Sequence, residues 1–412
     1  MGHSEKNKWW VSPADYDPEV TSKFNFPKKI EFLDTTLRDG EQQPGVIFTK
    51  DEKVTIAKKL NEVGVHRIEA GTPAVLKEDA EAIREIADLG FKNSKIYAFV
   101  RNMVKDMELA KSCGVDGVIA EIIGSEHLLE MGKRWTVERA IEACCEATTA
   151  AHEMGMKVTF FPADSSRADI NWLMDLIQGV VEGGHVDSVV LVDTFGVLSP
   201  EGAAHRVRQI KKRFPNLPLE VHFHDDFGMG TSTTIAGLCA GAEVCHVTVS
   251  GLGERAGGAQ LEAIALALEA MYGQKTGLDM TKFKSLSELV AELGRMPVSP
   301  TRPIVGDDIF LWETGLPSSL WVNVKDQNPL VMLPYHWDMT GHREPRLLLS
   351  KKSGKDNIKT WLEQCNLTIP EDQIPELLNL VKYKSFNEHR RLNEEDFRQL
   401  VDQLLKGQKN PA

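Results

Sequence analysis

The sequence predicts an α/β fold: a (β/α)8 TIM barrel followed by a linker subdomain and a small helical C-terminal subdomain. Three observations predict it. Between Lys28 and Gly273 a short β-branched run recurs eight times. Amphipathic helical stretches fill the gaps between the runs. Eight such units over about 250 residues is the size of this barrel. A doubly wound open sheet is the competing architecture.

Residues 1–27 form a polar, aromatic lead-in (Trp9, Trp10, Phe24, Phe26) without repeat character. The strand-like runs follow at 30–33, 66–70, 95–100, 117–120, 157–161, 188–192, 219–221 and 244–249. Helical patterning falls at 51–63, 76–87, 136–154, 170–181, 200–213 and 260–271, and Gly64, Gly90 and Gly155 stand where C-caps belong. The barrel is expected over 28–295. Pro297, Pro300, Pro303, Pro317, Pro329 and Pro334 then mark a linker subdomain over 296–350. Helical periodicity returns at 357–364, 373–384 and 394–406, with Asn393 as an N-cap, giving a C-terminal subdomain over 351–412.

Composition narrows the function. The hydrophobic share of 42% is that of a chain with a core, and the net charge of −12 argues against nucleic acid or an acidic membrane as partner. No apolar run approaches the roughly 18 residues of a membrane span. The polar start, Met1 to Lys8, lacks a signal peptide's apolar centre. The six cysteines are scattered without a C-x-x-C pair, the pattern of reduced thiols in a cytoplasmic protein.

Two clusters at run ends carry the chemistry. Val221-His222-Phe223-His224-Asp225-Asp226 closes the seventh run, and residues two apart on a strand face the same way. Both imidazoles therefore point to one side, as a divalent-metal half-site or as hydrogen-bonded rim histidines. The first run ends in Asp34-Thr35-Thr36-Leu37-Arg38-Asp39-Gly40-Glu41-Gln42, polar where a core wants apolar residues. Asp39 can supply an anionic ligand opposite the histidines, with Arg38 a fixed cation beside it; a rim salt bridge between the two is the plainer alternative. Two histidines and one carboxylate leave coordination positions open, as catalysis requires.

On these motifs, together with Gly251-Leu252-Gly253-Glu254-Arg255-Ala256-Gly257, the chain resembles the DRE-TIM metallolyase superfamily on its acyl-CoA-condensing side, the isopropylmalate, citramalate and homocitrate synthases. Ile68-Glu69-Ala70-Gly71, Val192-Asp193-Thr194-Phe195-Gly196 and Lys352-Ser353-Gly354 agree as well. The resemblance implies an acyltransferase that condenses an acyl-CoA, acetyl-CoA first of all, with a 2-oxo acid. It implies a divalent cation (Mn2+, Mg2+, Zn2+ or Co2+) on Asp39, His222 and His224, and Arg38 stabilising the developing alkoxide. Arg167 and Thr194 would hold the substrate, and Glu69, Gln42, Arg101 and His127 would order it or its waters. Tyr335 and His336 would take part in proton transfer, and the protein would be a homodimer. Several positions depart from the pattern. Gly258 stands for an Asn beside the metal, Ala163 for a Glu and Ala168 for a Ser or Thr, while in the linker segment Pro317 stands for a proton-relaying His and Trp312 for the His before it. The rival readings are a metal-dependent lyase or aldolase cleaving a 2-hydroxy or 2-oxo acid, condensation with an unusual donor, and a barrel that binds without turnover. The Cys that family lyases carry after strand eight is missing from 251–258.

Overall fold

The computed structural model describes residues 2–407. The eight runs become parallel strands: β1 (Glu31–Asp34), β2 (Arg67–Glu69), β3 (Lys95–Arg101), β4 (Gly117–Ile123), β5 (Lys157–Ala163), β6 (Ser188–Asp193), β7 (Leu219–Phe223) and β8 (Val244–Val247). They close in sequence order into a barrel, β8 pairing with β7 through Val244↔Glu220 and with β1 through Val244↔Glu31. Closure rules out the open sheet.

Each strand is followed by a helix: α1 (Lys50–Val63), α2 (Lys77–Asp88), α3 (Val104–Ser112), α4 (Val137–Glu153), α5 (Ile170–Gly183), α6 (Pro200–Arg213), α7 (Gly230–Cys239) and α8 (Leu261–Ala270); α9 (Phe283–Leu293) extends the ring. Their limits follow local chemistry. Thr49 and Glu52 form a capping box at the start of α1, and Gly64, at φ 91°, ends it in the left-handed region open to glycine. Lys53 of α1 is buried and paired with Glu41 at 2.6 Å and Asp79 at 2.5 Å, which ties the loop after β1 to α1 and α2.

Alternate strand residues fill the barrel. Leu33, Tyr97, Ile119, Phe161, Ala163, Val190, Val192 and Val244 make an apolar interior. At the strands' N-terminal ends this gives way to a polar layer. Arg67 donates to Glu31 Oε2 (2.9 Å) and Glu220 Oε1 (2.8 Å), Ser188 donates to the same Glu220 oxygen (2.6 Å), and His246 Nε2 donates to the other (2.8 Å).

The chain forms two compact units, Pro13–Val298 and, in their described parts, Met1–Ser12 with Ser299–Ala412. The lead-in is therefore not one piece. Trp9 is buried in the second unit, bridging to Tyr335, while Tyr16 donates to Ala270 O (2.8 Å) and Phe24 and Phe26 pack on Tyr272 in the first. The second unit carries α10 (Gly315–Val324), α11 (Lys355–Gln364), α12 (Ile374–Glu388) and α13 (Glu394–Gly407). One of its cores joins Phe310, Trp321, Leu330, Leu333 and Leu347; another joins Leu349, Ile358, Leu377, Phe397 and Val401. Residues 408–412 of the expected C-terminal subdomain lie outside the described residues. Among the described residues no helix is long and apolar enough to cross a membrane.

Candidate metal centre and active-site face

Both histidines sit at the C-terminal end of β7, the end of the barrel where such folds place their chemistry. His222 and His224 share one side of the chain, and their Nε2 atoms lie 3.3 Å apart. Asp39 begins the short turn Gly40–Gln42 after β1, with Oδ1 4.0 Å from His224 Nε2. One ligand atom from each of the three buried residues falls within 4.8 Å of the others. Ligands about 2.1 Å from a cation, at angles near 90–110°, lie about 3.0–3.4 Å apart, so the two nitrogens already have a chelating spacing. His224 Nδ1–H donates to Gly257 O (3.2 Å), which puts its lone pair on Nε2, the atom that faces His222 Nε2. Burial, reinforced by His224, Arg38 and His246, holds the His222 imidazole well below its ordinary pKa, in the neutral form that ligates. Asp39 Oδ1 and His222 Nδ1 are buried without a hydrogen-bond partner among the described residues. The donor set thus fits a divalent cation of borderline hardness.

The loop after β8 closes against this triad. A Cβ on Gly253 would come within 2.9 Å of Asp39 Oδ2, and one on Gly257, at φ 88°, would collide with Gly251 O at 1.9 Å. At Gly258 a Cβ would meet Asp39 Oδ2 at an ordinary 3.8 Å, so that position faces the triad but offers no donor. Arg255 ties the loop down by donating to Asp226 Oδ1 (2.8 Å) and to Thr194 O.

Arg38 lies beside the triad. Its Nε donates to Glu69 Oε2 (2.8 Å) and its Nη1 to Gln42 Oε1 (3.1 Å), Nη1 stands 3.6 Å from Asp39 Oδ1, and the guanidinium stacks 4.3 Å from the Phe99 ring. Burial opposes this charge, yet Glu69 and Asp39 outweigh it and raise the Arg38 pKa. Burial pushes the Glu69 carboxyl up despite Arg38. Arg38 Nη2 and Glu69 Oε1 have no hydrogen-bond partner among the described residues, so this pair keeps a donor and an acceptor for a ligand. Asp34 supports the loop from below through Thr36 N (3.0 Å) and Oγ1 (3.1 Å), and burial pushes its carboxyl up to about 7. Beside Arg38 and Gln42 opens a cavity of about 560 Å3, walled by Leu37, Val46, Phe48, Val75 and Ala82.

His127, Arg167 and Thr194 gather elsewhere on this face, around Asp164. Arg167 donates twice to the Asp164 carboxylate (2.7 and 2.8 Å), Ser125 donates to it (2.7 Å), His127 Nε2 stands 3.2 Å away, and Thr194 Oγ1 accepts from Asp164 N (2.8 Å). Arg167 therefore arrives with its charge already matched. Arg101 joins neither cluster; it is 60% exposed and held by Asp106 through Nε (2.7 Å) and Nη2 (3.0 Å). Tyr335 and His336 belong to the second unit. Tyr335 packs on Phe310 and burial raises its pKa; His336 stacks on Trp337 at 3.8 Å and accepts from Asp338 N through Nδ1 (3.3 Å). Pro317 lies in the first turn of α10, where its missing N–H costs nothing. Sequence reasoning missed Ser125 and Glu121. The signal for Glu121 was there, a carboxylate inside the apolar run Val118-Ile119-Ala120-Glu121-Ile122-Ile123.

A closed parallel barrel with a His-x-His pair and a carboxylate converging at its C-terminal face defines a class, the metal-centred TIM barrels. Within that class the chain belongs to the HMGL-like family, whose profile matches residues 29–290. It is 34% identical to the homocitrate synthase AksA of Methanothermobacter thermautotrophicus over 394 residues, 96% of this chain and 97% of the relative. Identity to the (R)-citramalate synthase CimA of Methanocaldococcus jannaschii is 38% over 355 residues, 86% of this chain and 70% of the relative. A 2-isopropylmalate synthase is among the relatives too, and the chain is an enzyme of this synthase group. Among solved structures, the HMG-CoA lyase of Bacillus subtilis superposes with a TM-score of 0.59 over 66% of this chain and 96% of that one. At 22% identity that likeness speaks for the fold alone.

Proposed function

We propose that the protein is a divalent-metal-dependent acyltransferase that joins an acyl-CoA, acetyl-CoA first, to a 2-oxo acid in a Claisen-type condensation, giving a 2-hydroxy dicarboxylate. The observation that carries this reading is the buried Asp39–His222–His224 triad with the Arg38–Glu69 pair beside it. A cation bound there would polarise the 2-oxo group and hold the acid's carboxylate. Arg38 Nη2, the donor left free, is suited to the keto oxygen as negative charge develops on it. Glu69 and Gln42 keep the guanidinium aimed, and stacking on Phe99 fixes its plane. The cavity beside Arg38 and Gln42 offers an apolar wall to the thioester arm. Asp164 and its partners position the substrate end of the β5 and β6 loops. In this reading Tyr335 and His336 take part in proton transfer. The working assembly is a homodimer in the cytoplasm.

Purified protein with Mn2+, acetyl-CoA and a panel of 2-oxo acids tests the reading by release of free thiol. Thiol release that requires one particular 2-oxo acid, and stops with EDTA, is the expected result. Thiol release no faster than thioester hydrolysis with every acceptor would overturn the condensing role.

A further inference from the structure

Glu121 is the one acidic side chain of the β4 interior, and the mechanism above does not use it. It alternates with Ile119 and Ile123, both facing the barrel interior, and lies in register with Phe161 of β5, whose ring packs 5.2 Å from His222. On the other side its register partner is Arg101 of β3. That arginine could have neutralised it, but both of its engaged nitrogens go to Asp106 instead. Asn102 approaches only the Glu121 backbone, donating to its carbonyl (2.9 Å). Among the described residues the Glu121 carboxylate has neither an ion pair nor a hydrogen-bonded side chain. It is half-buried and within electrostatic reach of Arg38 and Lys133, while burial pushes its carboxyl above the usual range.

An unpaired carboxylate facing the barrel interior beside Phe161 is costly to keep, and such a cost is retained where the group serves recognition. Resting on the reading given above, we propose that Glu121 selects the acceptor, excluding 2-oxo acids whose tail ends in a second carboxylate. The acid's first carboxylate and keto oxygen are drawn to the metal triad and Arg38. The tail is left to the wall formed by Phe99, Phe161 and Ile123, where Glu121 adds a like charge. Two like charges a few ångströms apart behind a low-dielectric wall repel strongly. An uncharged tail meets no such repulsion, and a tail bearing a hydroxyl or amide donor completes the free lone pairs of Glu121.

Equilibrium binding to the Mn2+-loaded protein, without any acyl-CoA, tests this separately from turnover. The probes are 2-oxovalerate and 2-oxoglutarate, which differ by a methyl against a carboxylate at the far end. Calorimetry on the natural protein should show 2-oxovalerate bound more tightly. In Glu121→Gln the ratio of the two affinities should shift toward 2-oxoglutarate by about tenfold or more, with metal content unchanged. Glu121→Leu, matched to the apolar wall, should shift the ratio the same way, which guards against a fold defect in one variant. An affinity ratio unchanged within about twofold in both variants, or an equal loss for both acids, would overturn the assignment. Because no condensation is measured, failure of the acyltransferase reading would show as missing thiol release with this preference intact.

Discussion

Two polar layers are buried in one barrel, and they are built on opposite rules. At the strands' N-terminal ends, Glu220 receives Arg67 and Ser188 on one oxygen and His246 on the other, so both of its acceptors are used. At the C-terminal ends, Arg38, Asp39, Glu69 and His222 each keep a buried polar atom without a hydrogen-bond partner among the described residues. In the lower layer, among the described residues, only His246 Nδ1 is left over. Similar residue types therefore serve different ends. A satisfied buried network offsets its own desolvation and fixes the barrel, whereas a network left partly open loses stability and retains binding capacity. The contrast marks, without reference to any relative, which of the two layers has polar atoms to offer a ligand.

Cutting each layer separately should break or sharpen it. The largest effect is expected on ion binding by the upper layer. Asp39→Ala and His224→Ala should each lower metal affinity by about 100-fold or more, while the metal-free proteins melt near the natural one. Elemental analysis after dialysis reads the first, thermal melting the second. Full metal content in both variants would remove the triad from consideration. Next comes the lower layer. Arg67→Met leaves Glu220 buried beside one cation fewer and should cost about 3–5 kcal/mol in a denaturant melt, with metal uptake by the folded protein unchanged. An equal loss of metal in Arg67→Met would mean the layers are one network, not two.

The sequence made the upper layer far more legible than the lower. His222 and His224 are two residues apart on a strand, so strand geometry alone aligns them, and Asp39 sits in a short polar loop whose neighbours announce it. The eight runs were equally readable, since each is local. β4 and β5 nonetheless reach further than their apolar runs, to Ile123 and Ala163, because Glu121 and Pro162 look like strand ends when burial is not known. The lower layer is illegible for a different reason. Arg67 and Glu220 are brought together only by barrel closure, and nothing near either residue names the other. Asp164 shows the middle case: Arg167 and His127 were legible as site residues, but not that this one carboxylate would absorb both of them and Ser125 at once. Arg101 was read into the substrate set, and the ion pair it makes with Asp106, within the same βα unit, was not foreseen.

The smallest effect is a difference of sign between the layers as pH changes. Burial opposes the Glu220 charge, but Arg67, His246 and Ser188 outweigh it and hold the carboxyl down to about 2, against an ordinary 4.5. The folded state therefore binds fewer protons than the unfolded one between those values. Its contribution is complete above pH 4.5 and is lost as pH falls toward 2. Burial instead raises the Glu69 carboxyl above 4.5, so the folded state holds the extra proton, and ionising Glu69 weakens the fold as pH rises past that value. Urea melts of the metal-free protein from pH 7 to pH 3 can separate the two. The stability gap between natural protein and Glu220→Gln should narrow steadily as pH falls through 4.5, while the gap to Glu69→Gln should move the other way. Parallel curves for both variants would mean that the two carboxylates ionise alike, and that the open and closed layers differ in geometry without differing in energy.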